Sequence, residues 1–354
     1  MAFFPFHMEI RTMKRENIVH FSGEAELIGF NDIDGTKQAN TDLCIQDCRN
    51  DLDIVHLNDY GIIRHSSIPY ATITGKTLTP ATSIRSANWH VTMNCNYNCR
   101  FCFYKNMIGE FKDIEKTRHI LETLKNKGIE KINFAGGEPL LYKNLMYLLK
   151  MAKDMEFTVS VVTNASLLNE NNIRELSSYV DWIGISVDST DENIEKELGR
   201  GNGCHVEHVQ RVCELIRKYG MKLKINTTVT KLNYLEDMKT FISSLRPDRW
   251  KVFQILYMKG QNDDALDLIL TTEEFEAFRR INGGLVLNNG ATPTFESADD
   301  MLNSYLIIGA DGNILLSNDN QRSSVAFEEL ECMELTELVD VDKCLERERS
   351  YEWN

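Results

Sequence analysis

Between Trp89 and Ile255 the sequence alternates short β-branched runs with helical stretches six times, and few architectures accept that pattern. The runs are Trp89–Met93, Lys131–Ala135, Phe157–Thr163, Trp182–Val187, Lys222–Val229 and Arg249–Ile255. Apolar residues at helical spacing fill most of the intervals, near 112–127, 140–154, 168–178, 191–198, 205–218 and 235–245. Strands joined through helices run parallel, because a crossover returns the chain to the same edge. The expected fold class is α/β, a parallel sheet curled as a partial (β/α)6 barrel. Residues 1–84 read differently, as an appended β-rich extension with short strands at Asp53–Leu57 and Gly61–His65 and a linker at Leu78–Thr82. Residues 85–260 hold the barrel core. Residues 261–354 form a C-terminal extension that closes the site, with a helix near 272–281 and a hairpin of Tyr305–Ile308 and Ile314–Leu316 around Asp311-Gly312.

Composition excludes some functions. With 42% hydrophobic residues and 26% charged, the 354-residue chain is an ordinary globular mixture. A net charge of −14 argues against stable nucleic-acid binding and against anionic membranes. No stretch reaches the roughly 20 apolar residues that span a bilayer. Nine cysteines, an odd number dispersed without a signal peptide, suggest reduced thiols and a cytoplasmic location.

Three of those cysteines, Cys95, Cys99 and Cys102, sit four and three residues apart on the loop leaving the first strand. Thiolates so spaced bind zinc or an iron–sulfur cluster. Zinc wants a fourth ligand, and no Cys or His follows closely after Cys102. A [4Fe–4S] cluster on three cysteines keeps one iron open for a cofactor to chelate. Cys204 and Cys213 lie in helical sequence and read as core thiols. Cys44, Cys48, Cys332 and Cys344 are the residues from which an auxiliary cluster would have to be built, but the two pairs are far apart in sequence.

In such a barrel, ligands gather at the C-terminal ends of the strands. Gly136-Gly137-Glu138-Pro139 ends the second strand, Asn164 and Ser166 the third, and Ser186 and Asp188 the fourth. Two glycines let the backbone approach a ligand closely, and Glu138 offers an acceptor to an ammonium group. Arg200, between Gly199 and Gly201, is placed to pair with a carboxylate. Side chains alternate along a strand. Lys131 therefore shares a face with Asn133, Lys224 with Asn226, and Arg249 with Lys251. Lysines at strand starts are usually solvated. The same pattern on three strands instead suggests a cationic, amide-lined interior suited to a polyanion.

The span from about 86 to 310 resembles the viperin-like radical S-adenosylmethionine (SAM) enzymes. The resemblance rests on Asn88-Trp89-His90, on Cys95-Asn96-Tyr97, and on Lys131 through Pro139. It continues in Gly199-Arg200-Gly201, Lys222–Val229, Asn303–Ile307 and, most specifically, Arg249-Trp250-Lys251-Val252-Phe253-Gln254. It implies a [4Fe–4S] cluster on Cys95, Cys99 and Cys102, and a SAM site lined by Gly136, Gly137, Glu138, Asn164, Ser166, Ser186 and Arg200. It implies that Asn88, Lys131, Asn133, Lys224, Asn226, Arg249, Lys251 and Glu296 hold a nucleoside triphosphate, and that Tyr305 is the catalytic candidate. The implied activity is a dehydration of CTP, GTP or UTP to a 3′-deoxy-3′,4′-didehydro nucleotide, a chain terminator in antiviral defence. An electron from an external one-electron reductase would start it. A 5′-deoxyadenosyl radical would then take the ribose 4′-hydrogen before the 3′-hydroxyl leaves.

Several positions depart from the family pattern. Ala135 stands where a Ser is usual, and Ala165 where a Gly is usual. Trp353 only partly matches the family's C-terminal Trp, and no N-terminal amphipathic helix is evident. Two alternatives stand beside this reading. One is a radical SAM enzyme acting on a peptide or cofactor precursor, against which the cysteine-poor tail counts. The other is a non-catalytic zinc or nucleotide-binding regulator.

Overall fold

The computed structural model describes residues 84–318 and 320–349, and seven short strands within residues 1–83. By its contacts the chain divides into Met1–Ser83 and Ile84–Asn354. In the first unit, strands at Glu9–Met13, Glu16–Phe21, Asp53–Leu57, Ile62–Arg64 and Ala71–Thr72 form one sheet, and Ala25–Asn31 pairs with Gln38–Ile45. The linker expected at Leu78–Thr82 lies outside the described residues.

In the second unit the expected strands form as β1 (Ser86–Thr92), β2 (Lys131–Gly136), β3 (Thr158–Thr163), β4 (Trp182–Ser186), β5 (Lys222–Val229) and β6 (Arg249–Gln254). Each pairs in parallel with the next. The helices between them are α1 (Lys116–Asn126), α2 (Leu145–Asp154), α3 (Glu170–Leu176), α4 (Glu192–Glu197), α5 (His205–Lys218) and α6 (Lys239–Leu245). Several are shorter than the spacing suggests, two of them for a visible reason. Pro139–Leu141 forms its own 3-10 turn before α2. Residues 231–238 are a turn organised by Asn233, whose side-chain oxygen accepts from the Thr230 amide at 2.6 Å, so α6 starts at Lys239.

The sheet is wider than six strands. After β6, α7 (Thr272–Asn282) begins at a capping box of Thr271 and Glu274 and leads to β7 (Thr294–Glu296), parallel to β6. A short helix, α8 (Ala298–Met301), follows. The hairpin forms as β8 (Leu306–Ile308) and β9 (Ile314–Asn318), but β8 also lies parallel against β1. Then come β10 (Gln321–Val325), antiparallel to β9, and α9 (Val341–Arg349). The strand order is β7-β6-β5-β4-β3-β2-β1-β8-β9-β10.

Strand alternation sorts the side chains. Ala87, Trp89 and Val91 of β1 are buried in the layer under the helices, with Phe134, Ile183, Ile185, Leu223, Ile225, Trp250 and Val252. Trp89 packs edge-on to Phe111 at 5.0 Å and stacks on Phe134 at 5.9 Å. Each such side chain contributes roughly 1.5–3 kcal/mol by leaving water. The opposite face looks into the barrel and carries the polar residues: Asn88, Lys131, Asn133, Lys224, Asn226, Arg249 and Lys251.

Candidate active site

The cysteine loop follows β1 and is held from two sides. On one, Gly137 donates to the Thr92 carbonyl at 2.6 Å and Glu138 to the Asn94 carbonyl at 2.8 Å. On the other, Asn98 donates to Gly199 at 3.3 Å and Arg100 to Leu198 at 2.8 Å. These approaches leave no room for side chains. A Cβ on Gly137 would lie 2.2 Å from the Asn94 oxygen, and one on Gly199, at φ +80, 2.2 Å from the Asn98 oxygen. The glycines of the Gly136-Gly137 turn thus admit the cysteine loop itself, not only a ligand as the sequence suggests.

Cys95 is exposed, and Cys99 and Cys102 are half-buried. Burial pushes the Cys99 thiol up to about 12 and raises those of Cys95 and Cys102. Donors nevertheless face Cys95: the Tyr97 amide at 3.4 Å and the Asn164 side chain at 3.8 Å. Cys213 is buried as expected, whereas Cys204 is exposed where α5 begins, so it is no core thiol.

Glu138 is fully buried and accepts from the Thr163 hydroxyl at 2.7 Å, the Asn164 amide at 2.8 Å and the Leu140 amide at 3.1 Å. Burial raises its pKa against these donors. Its carboxylate therefore braces the ends of β2 and β3. Asn164 donates to Asn96 at 2.9 Å and accepts from the Ser166 hydroxyl at 2.5 Å, and Asn96 donates to Ser166 at 2.8 Å. Arg200 meets a carboxylate of its own chain: its Nε lies 2.5 Å from Asp188, with Glu195 at 3.8 Å. Burial opposes its charge, but Asp188, Cys99 and Glu195 hold it protonated. Ser186 ends β4, where its carbonyl accepts from His205 Nε2 at 2.9 Å. That bond assigns the proton to Nε2, leaving Nδ1 to accept from Tyr97 at 3.3 Å. Burial and Arg200 keep His205 neutral, with a pKa of about 3.

Along the barrel interior, Asn133 donates to Asn88 at 2.9 Å. Lys224 and Asn226 stand beside Arg249 and Lys251 in register. All four basic side chains are buried: Lys131 is 4% exposed, Lys224 8%, Arg249 5% and Lys251 6%. Burial lowers Lys131 well below its ordinary value, helped by Lys224, Arg249 and Lys251. Burial, Lys251 and Arg249 bring Lys224 down to about 7. Glu296 of β7 pairs with Lys251 at 2.5 Å. Burial pushes Glu296 up, but Lys251 and Arg347 hold it ionised, below the usual range. Tyr305 donates to Glu296 and accepts from Lys251 at 3.1 Å. The side-chain oxygens of Asn133 and Asn226 are buried without a partner among the described residues.

The structure thus gathers the sequence-predicted residues into two groups, one around the cysteines and one around the cations. Sequence reasoning missed the roles of Asn96, His205 and Arg347, whose guanidinium lies 3.8 Å from the Tyr305 ring. His90 is buried with its ring 4.4 Å from Tyr104.

Residues 89–245 match the model of the radical SAM superfamily. A relative from a Thermoplasmatales archaeon (strain ISO4-H5), called an S-adenosylmethionine-dependent nucleotide dehydratase, is 36% identical over 276 residues, covering 78% of this chain and 98% of its own. The chain belongs to this family of dehydratases. A namesake from Flammeovirga pacifica is 33% identical, covering 76% and 96%. Among solved structures, Streptococcus suis SuiB bound to S-adenosylmethionine matches with a TM-score of 0.56 at 20% identity, over 72% of this chain and 65% of that one. That likeness speaks to the fold.

Members of the family use a [4Fe–4S] cluster and SAM, and the residues present fit both. No three His, Cys, Asp or Glu groups among the described residues gather as they would around a single ion. The three thiols instead line one short loop, with N–H donors on Cys95 of the kind that tune cluster thiolates.

Proposed function

We propose that the substrate of this SAM-dependent nucleotide dehydratase is a nucleoside triphosphate, CTP, GTP or UTP, whose phosphates lie among Lys131, Lys224, Arg249 and Lys251. One observation carries the reading: four basic side chains are buried on one inward face of neighbouring strands, close enough that like charge helps to lower Lys131 and Lys224. Burying charge costs several kcal/mol per ion unless it is compensated, so a site like this is built for a polyanion. The relatives' printed names supply the nucleotide.

Cys95, Cys99 and Cys102 hold the cluster in this reading, and Gly136, Gly137, Glu138, Asn164, Ser166, Ser186 and Arg200 form the SAM side. Bound together, cluster and SAM supply a carbon radical strong enough to take hydrogen from an unactivated C–H bond. The chain's own part is positioning. The cations fix the phosphates, the Asn133 and Asn226 oxygens accept from ribose hydroxyls, and both hold the sugar in one orientation. Tyr305, backed by the Lys251 ammonium, is the group set to give a proton to the leaving 3′-hydroxyl. Tyr305, Glu296 and Arg347 all come from residues 261–354, which supports a closing role for that segment.

No described helix is long and apolar enough to cross a membrane. The reduced cysteines and acidic charge support a cytosolic enzyme served by an external one-electron reductase. The test is anaerobic turnover with dithionite, SAM and each of CTP, UTP, GTP and ATP. Nucleotide-dependent 5′-deoxyadenosine and a product lighter by one water are expected; SAM cleavage indifferent to every nucleotide would overturn the proposal.

A further inference from the structure

One interior residue is out of keeping with its neighbours. Trp182 opens β4 on the inward face, in register with Ser160 of β3 on one side and Lys222 of β5 on the other. It is 4% exposed. Three cations stand over its ring: Arg249 at 4.8 Å from the centroid, and Lys131 and Lys222 at 5.3 Å each. Cations are drawn to an indole face by its quadrupole. A ring shared by three of them gathers charges that would otherwise spread apart.

The ring also carries an unanswered donor. Among the described residues Trp182 Nε1 is buried without a hydrogen-bond partner, and so is the Ser160 hydroxyl beside it. A buried N–H left unpaired is costly, and an indole nitrogen can only donate. With Arg249, Lys131 and Lys222 over the same ring, an anionic oxygen is the acceptor that suits it. Two residues further along β4 the chain does the opposite. Gly184 has no side chain, and a Cβ there would come within 2.8 Å of the Lys224 stem. The strand thus provides a broad ring at its start and, two residues on, room for a lysine to lie flat.

We propose that Trp182, with Lys222, is the floor of the phosphate pocket, and that it sets the preference for a triphosphate over shorter phosphate chains. The ring holds Lys131 and Arg249 together before the ligand arrives, and its N–H, with Lys222, receives the terminal phosphate. Trp182 is in part a positioning residue, acting through two cations already assigned to the substrate. The inference rests on the triphosphate reading above.

The test uses the cluster-reconstituted full chain and calorimetric titration with the matched nucleoside triphosphate and diphosphate, and with inorganic tripolyphosphate and pyrophosphate. In Trp182→Leu the ratio of triphosphate to diphosphate affinity should fall about tenfold or more, while diphosphate affinity changes little. Trp182→Phe keeps the ring and loses the N–H, and should fall between Trp182→Leu and wild type. Lys222→Ala, on a partly exposed side chain, should lower triphosphate affinity severalfold and serves if Trp182→Leu fails to fold. An unchanged ratio in the folded variants overturns the inference and leaves the triphosphate reading standing. Wild-type protein that binds neither triphosphate nor tripolyphosphate overturns both.

Discussion

The two halves of this site treat their polar groups in opposite ways. Around the cysteines the chain answers its own needs. Glu138 is filled by Thr163, Asn164 and Leu140, Arg200 by Asp188, and Asn164 by Asn96 and Ser166. Around the cations it crowds like charges and leaves two amide oxygens open. Lys131 and Lys224 are buried beside like charges, and the Asn133 and Asn226 oxygens have no described partner. A satisfied network is rigid and costs little to keep, which suits the placement of a resident cofactor. An unsatisfied one stores a cost that an arriving anion relieves, which suits a substrate that comes and goes.

The largest effects should come from breaking the satisfied half. Gly137→Ala drives a methyl group into the Asn94 carbonyl, and Cys99→Ala removes one of the three proposed cluster ligands. Both should lose most bound iron after reconstitution, with activity falling below detection. A Gly137→Ala protein with full iron content would show that the loop is looser than its glycine contacts imply.

A change in the other half should separate binding from cluster loading. Lys224→Ala and Lys251→Ala should each weaken triphosphate binding by about 10- to 100-fold, the range of a charge-assisted hydrogen bond in a buried site, with iron content unchanged. Iron loss in either variant would merge the two halves.

The difference should also appear in pH. Lys224 in the free protein loses its proton near 7, and a bound polyanion needs it charged. The ammonium is fully present below that pH, so triphosphate affinity should fall as pH rises from 7 to 9, with proton uptake on binding. Lys224→Arg stays charged and should flatten this part of the profile. Equal slopes for the two proteins would remove Lys224 from the interaction.

The smallest effect concerns strain in the satisfied half. Ala165, where the family usually has glycine, sits at φ +66. Left-handed backbone costs a non-glycine residue about 1–2 kcal/mol, partly offset by glycine's greater freedom when unfolded. Ala165→Gly should therefore raise unfolding free energy by up to about 1 kcal/mol, read by denaturant titration.

Period-two alternation and β-branched runs gave the six central strands and the inward face of Lys131, Lys224 and Lys251, because a sheet with one apolar and one polar face writes its register into the chain. Thr294–Glu296 escaped because three residues are too few to show a period. The parallel pairing of Leu306–Ile308 with Ser86–Thr92 escaped because it joins residues more than two hundred apart. Asp188 is legible at the end of the fourth strand, but its pairing with Arg200 is not, and nothing local marks His205 as the partner of Tyr97. Trp182 reads in sequence as one more apolar strand residue, since a cation beside it is visible only after neighbouring strands align.

The place of β8 beside β1 has a consequence for biogenesis. Ile307 pairs with Asn88, so the edge next to the cysteine loop stays open until almost the whole chain has been made. Met93 and Tyr104 then lack Ile307, Ala310 and Leu315, against which they pack. At synthesis rates of about 5–20 residues per second, the interval is roughly 10–40 s. The thiols leave the ribosome long before their support does. A ribosome-stalled chain ending near residue 300 is therefore expected to retain no cluster, and a released full-length chain to acquire one.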